Sequence, residues 1–337
     1  MSIKEENHHR NSGEIDVADI QKRKERVAML SVASNSFLVL FKVMVGMAIG
    51  SVSIISEAIH SGVDLLAAFI ALFSVKTSSV PADERHPFGH GKIENISGFV
   101  EALLIFGAAF WIIFEALKKL NAPEVMENAE WGVGVMLLSS VMNFIVSQKL
   151  FQIGKEADSI ALQADAWHLR TDVYTSAGVM LGLSIIWLGH KFFPDPKIHW
   201  IDPVAAIGVA ILIMHAAYEL TMNSLRDLVD AKLPAEEEDF IRGIISREST
   251  IYGFHQLRTR KAGHVRFVEF HINVDSHMSV QDSHNITRVL KKNIRDKFPE
   301  STITIHIEPC DGQCTDICLS GCLLPEGKRP KRLRHPA

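Results

Sequence analysis

Long apolar stretches alternate with polar connections until about residue 225, after which the pattern changes period. Runs of spanning length lie near 27–50, 52–75, 96–118, 131–150, 160–188 and 201–224, each close to the roughly 20 residues a helix needs to cross a bilayer. No proline interrupts the middle of a run, and Gly46, Gly62, Gly98, Gly107, Gly178, Gly182 and Gly208 suit closely packed membrane helices. The basic "QKRKER" ahead of the first run carries no cleavage pattern, so that run is predicted to stay as a helix. Beyond span six, "LPAEEEDFIRGIISREST" starts with proline and acids and then shows helical apolar spacing. "HQLRTR" and "HVRFVEFHINV" alternate like strands around a turn at Lys261 to Gly263. "SVQDSHNITRVLKKNIRDKF" is amphipathic with a helical period, and "STITIHIEP" alternates again. The expected fold is a polytopic α-helical membrane protein with six transmembrane helices and a small cytoplasmic α+β domain, ordered helix, strand, strand, helix, strand. Its expected divisions are a polar tail over 1–24, the membrane domain over 25–228, the α+β domain over 229–310 and a cysteine-containing basic tail over 311–337. A core as small as that of the α+β domain profits from dimerisation or a metal.

Composition alone would hide this plan. The 337 residues are 47% hydrophobic and their mean hydropathy is only +0.13, diluted by the polar last third. Basic residues next to the spans give the orientation. Lys22, Arg23, Lys24, Arg26, Lys76, Arg85, Lys92, Lys149, Lys155, Arg226 and Lys232 fall on one side of six crossings, against Lys118 and Lys119 on the other. The positive-inside rule makes that side cytoplasmic and puts both termini there; the expected location of the protein is the cell's inner membrane. The four cysteines then sit in a reducing compartment, where structural disulfides are not expected. A net charge of -4 argues against a nucleic-acid partner, although "GKRPKRLRHPA" is locally basic.

Ionisable groups inside the apolar runs carry the candidate chemistry, because such groups are costly in a bilayer and mark functional sites. His60 and Asp64 stand four apart in span two, and "LQADAWHLRTDVYTSAGV" repeats the spacing in span five with His168 and Asp172. Residues four apart share a helix face. At 1.5 Å per residue both pairs lie roughly 12 to 20 Å deep, at comparable levels, so they can meet. Two imidazoles and two carboxylates make a four-ligand set that Zn²⁺ accepts as a tetrahedron, whereas Mg²⁺ and Ca²⁺ prefer six or more oxygens. Spans two and five carry no Lys or Arg facing these pairs, Arg170 being on another face, so bound protons or a divalent cation must compensate the carboxylates. Asp165 and Glu57, nearer the span ends, are expected to be wetted, and Asn35, Asn143 and Ser147 to serve helix packing. Hydrolysis would need an open coordination position and a base, and no phosphate-binding loop is present. Four protein ligands whose histidines titrate near neutral pH instead allow protons to displace a metal, which is a physical basis for antiport.

Three further clusters follow. "PADERHPFGHGKIEN" gathers Asp83, Glu84, His86 and His90 around Pro87, Gly89 and Gly91, a turn able to wrap an ion or carry a proton. In the α+β domain His271, His306 and Glu308 alternate out of register with the apolar residues of their strands, with His255 at the start of the first strand and His284 on the polar part of the helix. Cys310, Cys314, Cys318 and Cys322 recur at intervals of four, unlike the paired spacing of most structural zinc sites.

"AIHSGVD", "DERHPFGHGKIE", "DAWHLRTD", "GFHQLRTRKAG", "HINVD" and "TIHIEP" together resemble the cation diffusion facilitator family of divalent-metal exporters, from about residue 25 to 310. The resemblance implies a homodimeric metal/proton antiporter whose soluble domain is ferredoxin-like, in the manner of metallochaperones. It implies His60, Asp64, His168 and Asp172 as the transport site and Asp83 and His90 as a loop site. It also implies ions held by His255, His271, His284, His306 and Glu308 at the soluble dimer interface, with His86 bridging toward them. Lys92 and Asp202 match a charge pair that joins the membrane halves of the dimer. A histidine at position 60, in place of an all-carboxylate pair, resembles the zinc-preferring branch, while Glu308 stands where relatives carry aspartate. The expected activity is proton-coupled export of Zn²⁺, with Cd²⁺ or other divalent transition metals as further cargo. The alternatives are a membrane-anchored metal sensor or scaffold, or an Fe²⁺ or Mn²⁺ exporter of the same family.

Overall fold

A computed structural model describes residues 17–50, 52–121, 129–192, 200–310, 316–325 and 329. Six long helices come first: α1 (Val17–Ile49), α2 (Val52–Ser78), α3 (Lys92–Asn121), α4 (Ala129–Glu156), α5 (Ile160–Phe192) and α6 (Ile201–Leu228). Then follow α7 (Ala235–Arg247), β1 (Gly253–Ala262), β2 (Val265–Asp275), α8 (Val280–Lys297), β3 (Ser301–Cys310) and α9 (Asp316–Ser320). The chain divides into two units, the first through Leu225 and the second from Arg226. Among the described residues α1, α2, α3, α4 and α6 are each long and apolar enough to cross a membrane.

The helical unit is organised around α5. Ala161, Leu162, Ala166 and Leu169 pack with α1, α2 and α4 through Val32, Leu72 and Leu150. Ile160 and Ala164 turn the other way, toward Ala102 and Ile105 of α3 and Ile213 and Ala217 of α6. The first half of α5 is therefore largely buried between the other helices, with Ala161, Leu162, Ala164, Asp165 and Ala166 all at 0% exposure. Small residues bring the axes close: Ala67, Ala68 and Ala71 of α2 and Ala161, Ala164 and Ala166 of α5 are fully buried. Phe37, Phe69, Phe73, Trp111 and Phe114 point outward, as expected where the surrounding solvent is hydrocarbon. At one end a buried ion pair, Lys24 Nζ to Glu94 Oε1 at 2.6 Å, with Ser78 donating to the same oxygen at 2.9 Å, ties α1, α2 and α3.

Gly98 marks the tightest crossing. A Cβ there would lie 2.5 Å from Ile160 Cγ2 and 2.9 Å from Ser224 Oγ. Gly98→Val is expected to destabilise the unit by about 1–3 kcal/mol through overpacking, read as a lower unfolding temperature in detergent. Adding Ile160→Ala should recover part of the loss.

The second unit is a three-stranded sheet in the order β1-β2-β3, with β1 and β2 antiparallel and β2 and β3 parallel. Helices α7 and α8 cover one face, where Ile241, Ile245, Phe270, Ile272, Leu290, Ile294 and Ile303 form the core. Glu236, Glu237 and Glu238 occupy the first turn of α7, where the helix dipole favours acids. Glu237 grips Arg266 of β2 through two bonds of 2.7 and 2.8 Å. Ser279 caps α8 by accepting from the Asp282 amide at 3.1 Å. Beyond β3 the chain returns to the outer edge of β1: Phe254 N donates to Gly321 O at 3.0 Å and Leu323 N to Tyr252 O at 2.8 Å. Gly321 permits this approach, since a Cβ there would run into Phe254 O.

Candidate metal centres

The α2 and α5 pairs meet inside the helical unit. His168 Nε2 lies 3.1 Å from Asp64 Oδ1 and His60 Nε2 lies 3.6 Å from Asp172 Oδ1. Ligand atoms of His60, Asp64 and Asp172 also fall within 4.8 Å of one another. A tetrahedral ion with bonds of about 2.0–2.1 Å has neighbouring ligands roughly 3.3–3.4 Å apart, a value bracketed by these two separations, while His168 stands outside the group of three. Asp64 and His168 are buried, Asp172 is half-buried and His60 faces outward from its helix. The pairs are crossed: each histidine meets the aspartate of the other helix, so the four groups require α2 and α5 side by side.

A small cavity of about 80 Å³ opens onto His60, Asp64 and Asp172 and is also lined by Lys42, Glu57, Ser139, Ser140, Asn143 and Thr175. Asn143 Nδ2 donates to Asp172 Oδ2 at 3.1 Å, so this asparagine orients a ligand carboxylate in addition to packing α4 on α5. Lys42 comes from α1, a span the sequence reading left out of the charge balance. Arg170 does face elsewhere, its guanidinium 5.6 Å from the Phe144 ring centroid and 5.0 Å from that of Phe151. Asp165 departs from the expectation of a wetted residue, being 0% exposed with both carboxylate oxygens lacking a hydrogen-bond partner. Asp165 sits between Ala164 and Ala166, on faces of α5 that neighbouring helices cover. Glu57 does line the cavity. Ser147 bonds its own helix, to Phe144 O at 2.9 Å.

The loop between α2 and α3 forms a second group. Asp83 Oδ1 lies 3.3 Å from His86 Nδ1, and Asp83 Oδ2 lies 3.5 Å from His90 Nε2. Backbone shapes the loop: the His86 and Arg85 amides donate to Asp83 Oδ1 at 2.6 and 2.9 Å, and Gly89 takes a φ of +82° that other residues rarely adopt. The His86 amide bond in particular holds the Asp83 carboxyl below its ordinary range, which favours the ionised form a ligand must take. Glu84 is exposed and outside the group. Lys92 opens α3, and Asp202 stands in the first turn of α6, its side chain outside the described residues.

In the α+β unit the register creates a ladder. His255 of β1 pairs with His271 of β2, and His271 with His306 of β3, so three imidazoles cross the sheet in a row on the face opposite the helices. Ring centroids are 5.2 and 4.7 Å apart along the row. Glu308 is the hub, with its oxygens 2.9 Å from His271 Nδ1, 3.3 Å from His255 Nε2 and 3.7 Å from His306 Nε2. A bulge between His255 and Arg258, where Gln256 takes a φ of +52°, interrupts β1 next to this ladder. His255, His271 and Glu308 satisfy the geometry of a metal group, and the buried His255 Nδ1 has no hydrogen-bond partner. His284 is exposed on α8, outside this group. Cys310, Cys318 and Cys322 lie outside all three groups, and Cys314 lies outside the described residues.

Both units match family models: the cation efflux transmembrane domain over residues 28–229 and the cation efflux protein cytoplasmic domain over residues 233–310. An uncharacterized transporter of Synechocystis is 33% identical over 263 residues, covering 78% of this chain and 83% of that protein. The cation-efflux pump FieF of Yersinia pestis is 28% identical over 283 residues, covering 84% of this chain and 92% of the pump. The metal-bound C-terminal domain of the CzcD transporter from Thermotoga maritima is 31% identical, covering 23% of this chain and 90% of that structure, at a TM-score of 0.22. The protein is thus a multi-pass membrane transporter of cations, not an enzyme. It belongs to the cation efflux family, the cation diffusion facilitators.

Proposed function

We propose that the protein exports Zn²⁺ from the cytoplasm in exchange for protons, with His60, Asp64, His168 and Asp172 as the transport site. The observation that carries this reading is the crossed meeting of two histidines with two aspartates between α2 and α5. Imidazole nitrogens favour Zn²⁺ over harder ions, and protons compete with a metal for the same nitrogens, so each direction of exchange uses one site in two states. Asp83, His86 and His90 form an accessory group on the cytoplasmic loop. His255, His271, His306 and Glu308 hold ions that associate the soluble domains of a homodimer, with His284 joining across the interface. Lys92 and Asp202 pair between the membrane halves, and both termini lie in the cytoplasm of a cell whose inner membrane holds the protein.

Metal flux into proteoliposomes, measured with and without a pH gradient, tests the reading. Zn²⁺ uptake driven by an opposing proton gradient is expected. Flux indifferent to that gradient would remove the coupling, and stronger transport of Fe²⁺ or Mn²⁺ than of Zn²⁺ in direct competition would replace the cargo.

A further inference from the structure

A cation site has little use for a lysine, yet Lys42 of α1 lines the cavity that opens onto His60, Asp64 and Asp172. The residue is only 4% exposed. Its Nζ donates to Ser61 Oγ at 2.8 Å and pairs with Glu57 Oε2 at 3.3 Å. The hydrogen bond and the ion pair together hold the ammonium in place. Ser61 directly follows a ligand, and Glu57 stands about one turn before His60, toward the end of α2 that connects to α1.

Charge arithmetic makes this placement consequential. Around the cavity three carboxylates, Asp64, Asp172 and Glu57, face one ammonium and the imidazole of His60, while His168 reaches Asp64 at 3.1 Å. A divalent ion on the quartet must then share a poorly screened space with a fixed positive charge, and like charges repel more strongly there than in water. Glu57 offsets this in part, but it is the more exposed member of its pair, so solvent weakens its contribution. A transport site must bind firmly enough to select and loosely enough to release.

We propose that Lys42 is an affinity-setting residue of the transport site, a tethered cation that weakens divalent-metal binding and so promotes release. This rests on the quartet being the metal site. A plain strut between α1 and α2 would use the same contacts, but the two roles differ in the sign of their effect: losing a strut loosens the site, whereas losing an opposing charge tightens it.

The test is titration of the full-length protein in detergent with Zn²⁺, following the binding component that Asp172→Asn removes. Lys42→Met, close in shape and uncharged, is expected to tighten that component by on the order of tenfold or more and to slow turnover at saturating Zn²⁺ in proteoliposomes. Lys42→Arg, which keeps the charge, should restore the wild-type affinity and rate. Unchanged or weaker binding by Lys42→Met overturns the inference. Should Lys42→Met not yield monodisperse protein, Glu57→Gln decides: it leaves the ammonium uncompensated and is expected to weaken Zn²⁺ binding, so equal or tighter binding there overturns it as well. If Asp172→Asn removes no binding component, the failure lies with the assignment of the quartet, which separates the two readings.

Discussion

Asp172→Asn is expected to abolish metal efflux while the protein stays folded. The carboxylate is at once a ligand candidate, the partner of His60 at 3.6 Å and the acceptor of the Asn143 amide at 3.1 Å. Replacing it by an amide preserves shape but removes the negative charge; with the amide oxygen kept toward the Asn143 donor, an NH2 donor stands where Oδ1 was available as a ligand. Loss of a partner that merely orients a ligand costs about 10–100-fold in metal affinity, so loss of the ligand itself should leave flux below about a tenth of wild type. Asp64→Asn should match it, because Asp64 plays the mirrored part against His168. Asn143→Ala should fall between, as an orienting partner. The check is Zn²⁺ flux in proteoliposomes, paired with a thermal unfolding curve. Wild-type flux in either aspartate variant would dismiss the quartet.

Glu308→Gln is the second large effect expected, in the soluble domain. Glu308 is the one acid among the ladder's three histidines, and its two oxygens serve both sides of the row. An amide there removes the charge that would balance a bound cation, and leaves three imidazoles with only each other. Ions that bind only the associated state stabilise it by mass action, by about 2.7 kcal/mol at a hundred times the dissociation constant. Full-length protein carrying Asp172→Asn, so that the quartet is silent, should therefore dimerise more tightly with Zn²⁺. Adding Glu308→Gln or His271→Ala should erase the metal dependence. Sedimentation in detergent reads the result, and association indifferent to Zn²⁺ in the parent would mean that the ladder is an ordinary surface cluster.

The six helices and the α+β order were legible because each depends on a local period: apolar runs of spanning length, then alternation of two and of three to four. The quartet was legible for a related reason, since the same spacing appears twice at similar depth. What stayed hidden depends on register between elements. Alternation places His271 and His306 on one face, but only the β1–β2–β3 register puts His255, His271 and His306 in one row. Lys42 disappears into "FLVLFKVMVG", where one charge barely moves a windowed average, and its meeting with Glu57 and Ser61 follows from how α1 and α2 fold against each other. Asn143 looked like packing because its amide partner lies on another helix. Asp165 looked wetted because distance from a span end says nothing about how many helices surround that level.

The return of the chain along β1 bears on aggregation. An edge strand with free amides and carbonyls is a template for another chain, and proteins cover such edges or charge them. Here Gly321 and Leu323 occupy the backbone groups of Tyr252 and Phe254 at the start of β1, next to the ladder's first histidine. A chain cut after Cys310 would bare that stretch, and soluble domains could then join edge to edge through β1. Gly321 would tolerate substitution poorly, since any side chain would strike the Phe254 carbonyl and peel the cover away.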